Sequence, residues 1–369
     1  MMPRKRTRFE KEGRGEICMT KVSTVLLGST GMVSQYVQLL LTDHPFFSLD
    51  FIAGSPQKVG TPVQELPWWI EYPRPTIPKN SVVSLDDEQT IISLAKSGVQ
   101  LAISTLPSQF AHDIEPLWTR NGISVFSNSS SYRCRDDIPT IVPEINPELF
   151  DLHASSKHFC ATNCTVLSFI FALQPLLRPT IIRDCKVLTQ QALSGGGRRL
   201  IEDFEKQRRI AEPTIPGEAE KIIQEFKYLS NTNIPISVSC SRVERKDGHI
   251  AEVQVEFEEP YSIEEFKQSI EDFNSKQHLG LPSSPEKLMS IRDSIDVNSD
   301  LWSNGNSNAR PDQSAYRRSH GMSVTIGDIV QVDKETIRFK GYSHNLIRGA
   351  AGGVLYLAEF AHMKGYFGS

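Results

Sequence analysis

Cys160 and Cys164 stand four residues apart in the stretch FCATNCTVLSF. Thiols at that spacing suit a packing pair, half of a metal site, one arm of a disulfide, or a nucleophile beside a bystander. Two cysteines give at most two of the four ligands of a structural zinc. No CxxC pair occurs and the nine histidines do not gather near cysteines, so no metal is expected. Cys18, Cys134, Cys185 and Cys240 are scattered through 369 residues, enough chain to bury a core without a disulfide framework. Asn163 precedes Cys164, and the apolar run TVLSFIFALQPLL follows it. Asn is a preferred helix cap. The expectation is a buried helix with Cys164 at its positive end, where a thiol pKa falls. Cys160 belongs to the preceding strand. A small buried hydrophobe is the competing reading for either thiol.

A thiolate that attacks a carbonyl needs a proton partner, an anion clamp and donors for developing charge. Candidates lie downstream. QQALSGGGRR combines Gln191 with the glycines Gly195–Gly197, and CSRVERKDGHIAEV carries Arg242 and His249. His249 suits proton exchange. Arg242 suits two-pronged binding of a carboxylate. Taken singly, a turn histidine and a solvated strand arginine explain them as well.

A second constellation lies near the start. Gly28-Ser29-Thr30-Gly31-Met32-Val33 follows an apolar strand and opens a helix. That context fits a dinucleotide's pyrophosphate at a helix N-terminus. The spacing is GxxGxx rather than GxGxxG, so an empty βα turn is an equal reading on this stretch alone. After the second strand the chain reads AGSPQK. Asp50 comes too early to meet a ribose, whereas Ser55 and Lys58 could receive a 2′-phosphate. This favours NADP over NAD.

The elements that must hold these residues follow from pattern. Apolar content is 39%, charged content 23% and net charge −4, an ordinary globular balance that argues against a nucleic-acid-binding face. No apolar run reaches a membrane span of roughly 18–20 residues. Residues 1–20 are charged and lack an apolar core, which reads as a flexible tail rather than a signal. A cytoplasmic setting is expected. Strands at Val22–Leu27, LDFIAGS, VQLAISTLPS and GISVFSNSS alternate with helices, as in a parallel doubly wound sheet. Beyond Cys164 the pattern mixes strands and helices: RDCKVLTQQ, two strands around a turn near Lys246–Gly248, an amphipathic helix in SIEEFKQSIEDF, a hairpin in SVTIGDIVQVDKETIRFKGYS and a closing helix. The fold class expected is α/β: a Rossmann-type domain at 21–160, completed by 344–369, and an α+β catalytic and dimerisation domain at 161–343. Residues 293–315 read as a long polar loop.

The motifs LLGSTGMV, FSNSSSYR, IVPEINPE, ATNCTV, QALSGGG, GEAEK, RVERKDGH and HNLIRGAAG, in this order, resemble the aspartate-semialdehyde dehydrogenase family, most closely its fungal and archaeal branch. The likeness spans roughly residues 22–365. It implies that Cys164 is the nucleophile, His249 the acid/base, Gln191 an orienter of the acyl group, and Arg242 the carboxylate clamp. It implies Glu218 for the substrate amine, and Lys221, Arg133 and Asn163 for phosphate. For NADP it implies the turn Gly28–Val33, Ser55, Lys58, Ser194, Gly195, Gly196 and Asn345. The implied reaction reduces 4-phospho-L-aspartate to its semialdehyde through a cysteine thioester, in a homodimer or homotetramer built on the second domain's sheet. Small molecules and phosphate are the expected partners, with no nucleic acid or membrane. Ser34 replaces a glycine common in the family, which should slightly widen the gap between helix and strand. Two other readings are an N-acetyl-glutamyl-phosphate reductase-like enzyme, which needs no acidic contact such as Glu218, and an inactive cofactor-binding paralogue, which would not need the whole constellation.

Overall fold

A strand at the middle of a parallel sheet is covered on both faces and reads as a continuous apolar run. Val22–Leu27, VSTVLL, is such a strand and is buried along almost its whole length. In the computed structural model it is β1, and the described residues are 20–77, 81–177, 182–210, 212–311 and 318–368. The expected tail falls outside them, apart from Thr20. Around β1 the first sheet adds β2 (Phe47–Gly54), β3 (Val83–Ser84), β4 (Val99–Ser104), β5 (Ser124–Ser127) and β6 (His158–Cys160). All pairs are parallel, in the order β3-β2-β1-β4-β5-β6. Strand order therefore reverses between β1 and β4, and such a switch point opens a crevice at the strands' C-terminal ends. The helices α1 (Met32–Leu40), α2 (Glu88–Lys96), α3 (Ser108–Arg120) and α4 (Glu148–Leu152) connect them.

Past Cys164 the expected helix does not form. The run divides into a 3₁₀ turn at Val166–Ser168, α5 (Ile170–Leu173) and a second 3₁₀ turn at Gln174–Leu176. The cause is tertiary. The Ser168 carbonyl presses so closely on Gly341 that a Cβ there would collide with it. Pro175 also removes a backbone donor from the run. All the residues from Val166 to Leu173 are buried regardless.

The second sheet gathers β7 (Ile182–Gln191), β8 (Ile236–Arg242), β9 (His249–Phe257), β10 (Met289–Ile291), β11 (Val324–Gln331) and β12 (Thr336–Ser343), in the order β10-β11-β12-β9-β7-β8. The strands β8 and β9 flank β7 rather than each other, so residues 243–248 cross the end of β7 instead of closing a hairpin. β11 and β12 do pair antiparallel, as the sequence suggests. The helices α6 (Gly197–Gln207), α7 (Glu218–Ser230) and α8 (Ile263–Lys276) belong to this half. An apolar cluster joins one sheet face to segment 166–176, α7 and α8. The other face of β7 alternates outward, leaving Leu188 exposed.

The chain then returns. A π-turn at Ile347–Ala351 leads into α9 (Gly352–Met363), whose apolar residues pack with α1 and the first sheet. Each large side chain buried there contributes about 1.5–3 kcal/mol. Glu359 is buried among them, and His44 Nε2 lies 2.9 Å from its carboxylate. Of the loop expected at 293–315, residues 312–315 lie outside the described residues, and 293–311 are no free loop. Asp300, Ser303 and Asn304 are buried, and Trp302 meets His344 edge-on. Among the described residues no helix is long and apolar enough to cross a membrane, and no cluster of His, Cys, Asp and Glu could hold a metal.

Candidate functional site

At the switch point β1 ends in Gly28, with φ +110°, and a Cβ there would lie 2.6 Å from Thr105 Oγ1. Glycine is required by both conformation and space. Gly31 caps α1 without a side-chain bond, no acid occupies the first turn, and a Cβ at Gly31 would meet open space. The free amides of that turn suit an anionic pyrophosphate. Ser29 packs against Gly54, Val33 against the core, and Met32 faces a cavity of about 370 Å³ that Tyr36, Trp69, Trp302 and Leu346 also line. Ser34 does not widen the turn. Its hydroxyl donates to the Gly28 carbonyl at 2.6 Å and ties helix to strand. Ser55 heads the 3₁₀ turn Pro56–Lys58, and Lys58 Nζ reaches back to donate to Thr30 Oγ1 at 2.9 Å. A hydroxyl and an ammonium therefore flank the glycine turn. These residues fit a dinucleotide.

Cys164 follows β6 and is partly exposed. Asn163 Oδ1 accepts from Thr165 N at 2.7 Å, which caps one turn only. No helix long enough for a dipole follows, so the expected lowering of the thiol pKa fails. Burial instead pushes it up to about 11, and Arg133 opposes that rise. Asn163 Nδ2 donates to Glu218 at 2.8 Å. Lys221 lies exposed one turn further along α7. Gly349 approaches Cys164 so closely that a Cβ on it would collide with Cys164 Cβ. Cys160 is fully buried, with its Sγ 3.3 Å from the carbonyls of Ser129 and Ala161.

The imidazole half is assembled by register. Gln191 ends β7 and sits opposite Arg242, the last residue of β8. His249 opens β9, opposite Ser343 at the end of β12. Four strand ends thus meet at one end of the sheet. Ala192 N donates to His249 Nδ1 at 3.1 Å, and Ala192 O accepts from Arg242 Nη1 at 2.9 Å, so the backbone of one residue fixes both groups. His249 Nε2 and Gln191 Nε2 are buried without a hydrogen-bond partner among the described residues. Burial, helped by Arg242, lowers the His249 pKa to about 3. A Cβ on Gly195 would lie within 3.0 Å of both His249 Nε2 and Arg242 Nη1, so the glycine loop exists to let them be reached. Gly196 makes a similar close approach to Leu200. Asn345 bridges the loop and the turn: its Nδ2 donates to Ser194 Oγ at 2.9 Å, and its Oδ1 accepts from Gly248 N at 2.7 Å. The neighbouring His344 meets Tyr36 of α1 edge-on, which joins this half to the glycine turn. Arg242 also bears electrostatically on Cys164 and Glu218.

Four contributors escape a reading of side-chain types. Thr105 and Gly349 act by shape, and Ala192 acts through its backbone. Glu225 is buried on α7 and accepts from Thr162 Oγ1, Asn163 N and Arg133 Nη1 at 2.8, 2.6 and 3.2 Å. Its signal is an acid seven residues after Glu218, on an apolar helix face.

The family model described as "Semialdehyde dehydrogenase, NAD binding domain" matches residues 23–153, so the first sheet carries a nicotinamide-dinucleotide domain. An aspartate-semialdehyde dehydrogenase from Archaeoglobus fulgidus is 33% identical, over 92% of this chain and 97% of its own. A malonyl CoA reductase (NADP) from Metallosphaera sedula is 30% identical, over 94% of this chain and 98% of its own. The crystal structure of aspartate semialdehyde dehydrogenase with NADP from Candida albicans superposes with a TM-score of 0.72 at 25% identity, over 94% of this chain and all of that one. With a relative at this identity across nearly the whole length, the chain belongs to the aspartate-semialdehyde dehydrogenase family.

Proposed function

We propose that this protein interconverts 4-phospho-L-aspartate and L-aspartate 4-semialdehyde, using NADP(H) and phosphate. The supporting observation is the meeting of Gln191, Arg242 and His249 at one sheet end, with the Arg242 charge bearing on Cys164 and Glu218. In the reductive direction the Cys164 sulfur attacks the acyl carbon as its S–H bond breaks, the proton leaving on the departing phosphate. The bond to phosphate breaks, inorganic phosphate leaves and a thioester remains. The bound nicotinamide cofactor supplies the hydride that reduces this thioester. The sulfur then leaves as thiolate and the aldehyde is released. Because Nδ1 of His249 accepts an amide hydrogen bond, the neutral ring carries its proton on Nε2. That N–H is available to donate a hydrogen bond to the oxygen of the tetrahedral adduct, steadying its negative charge until collapse. Arg242 holds the α-carboxylate, Glu218 the amine, Gln191 the acyl oxygen, and Arg133, Asn163 and Lys221 the phosphate. Fixing both ends of a small dianion supplies proximity at the reacting carbon.

The placing of Lys58 over Thr30 supports NADP over NAD. The domain division proposed is 21–160 with 344–369, and 161–343. The alternating outer face of β7, with Leu188 exposed, supports a homodimer or homotetramer through that sheet. Free thiols at all five described cysteines support a cytoplasmic setting. Glu218 supports a substrate with a free amine over an N-acylated one.

Purified protein should oxidise aspartate 4-semialdehyde in the presence of phosphate and NADP. Cys164→Ala should abolish turnover, whereas Cys160→Ala should retain it with a stability loss of about 1 kcal/mol. Malonyl-CoA with NADPH serves as the competing assay. Turnover of that thioester but not of the semialdehyde, or equal loss in both cysteine variants, would sink the assignment.

A further inference from the structure

The carboxylate of Glu225 is alone among apolar neighbours. On the buried face of α7 it lies with Ile222, Phe226 and Leu229. A charge in such a place is costly unless fully paired. Here it is paired, and every partner leads to the nucleophile. Oε2 takes the Asn163 amide and the Thr162 hydroxyl, while Oε1 takes Arg133 Nη1. Arg133 in turn donates Nε to the Ala161 carbonyl and Nη2 to the Asn128 carbonyl, both at 3.2 Å. Residues 161–163 are thus gripped at a carbonyl by the arginine and at an amide by the glutamate. The next residue is Cys164.

We propose that Glu225 is a positioning residue: it fixes the peptide leading into Cys164 and holds the Arg133 charge at a set place beside the sulfur. The inference rests on the reading of Cys164 as nucleophile. Four charged groups bear on the thiol. Arg133 favours its ionised form, and Glu218 and Glu225 oppose it. Arg242 is the fourth, facing it from β8. A glutamate acting on the thiol only through its own charge would shift the thiol's ionisation by the same amount with or without Arg133. A positioning carboxylate would not. Glutamine at 225 keeps an oxygen for Asn163 and Thr162 but releases the arginine's charge toward the sulfur.

The test is the pH profile of iodoacetamide alkylation at the Cys164 peptide, read by mass spectrometry on the full-length protein. Glu225→Gln should move the profile to lower pH by about one unit, a tenfold faster reaction near neutrality. Arg133→Gln should move it upward. The double variant should match Arg133→Gln to within half a unit, because Glu225 acts on the sulfur through the arginine. Removing both partners of a buried pair is also gentler than removing one, so the double variant covers the case in which Glu225→Gln does not fold. An unchanged profile in Glu225→Gln overturns the proposal, as does a double variant a full unit away from Arg133→Gln. Alkylation needs neither substrate nor cofactor. Wild-type turnover with phosphate tests the functional reading separately, and its failure would leave the alkylation result decisive for Glu225.

Discussion

Ala192 N–H holds Nδ1 of His249, and burial keeps that ring neutral, with a pKa lowered to about 3. His344, buried with both ring nitrogens unpartnered among the described residues, is lowered by burial to about 4. In the unfolded chain both rings take up a proton below pH 6.5, the ordinary value, while in the folded protein they stay bare. The unfolded state therefore binds more protons, and stability is lost as pH falls from 6.5 toward 4. Each ring adds a slope of at most about 1.4 kcal/mol per pH unit. The urea midpoint should fall across that window, and His249→Asn should flatten the fall. A midpoint that stays level would contradict the burial of these rings. Gly349→Ala addresses the sulfur. The added methyl must displace Cys164, and a shift of about 1 Å at a reacting atom costs about 100-fold in kcat, while NADP binding should stay unchanged. Among the residues, thiol, imidazole and guanidinium were legible because their chemistry is written in their type. Ala192 and Gly349 were not, since they act through a backbone amide and through the absence of a Cβ. Glu225 was hidden because burial, which gives its charge meaning, is a property of the folded helix face.

At the scale of elements, the β1–α1 turn shows how one substitution is absorbed. Ser34 fills the place of a glycine and returns a hydrogen bond to Gly28, so the turn stays closed. Lys58 comes to the same turn from the end of β2. Replacing it with alanine should raise the KM for NADP about tenfold, the effect of one lost charge-assisted contact, and leave the KM for NAD within about twofold. Equal changes for both cofactors would remove Lys58 from the phosphate site. The alternating strands and helices of the first sheet were legible from period and turn residues. The segment after Cys164 was misread as a helix because its apolar content is helical in look, while the close approach of Ser168 to Gly341 that breaks it is set by a strand far along the chain. Residues 293–311 looked like a polar loop for a related reason. Asp300, Ser303 and Asn304 are hydrogen-bonded inside the fold, and composition does not distinguish a buried hydrogen bond from a solvated one.

Across the whole molecule the two sheets share supports. Arg198 of α6 stacks on Trp69, with its Cζ 3.2 Å from the ring centroid. Glu71 pairs with both Lys246 and Arg310. These ties join a segment between β2 and β3 to the second half, beside the turn that carries Asp247 and Gly248. Calorimetry should accordingly show one cooperative transition, and removal of 344–369 should abolish it. Two separate transitions in the intact protein would mean that the shared elements contribute little. The position of α9 has one further consequence, for the order of synthesis. The first sheet leaves the ribosome early, yet the helix that covers its α1 face is made last. Through the elongation of nearly 200 residues that face has no lasting cover, and its exposed apolar surface invites aggregation. Folding of the nucleotide-binding half is thereby tied to completion of the chain, so a stalled or truncated product would be held as a substrate for chaperones rather than released as a working half-enzyme.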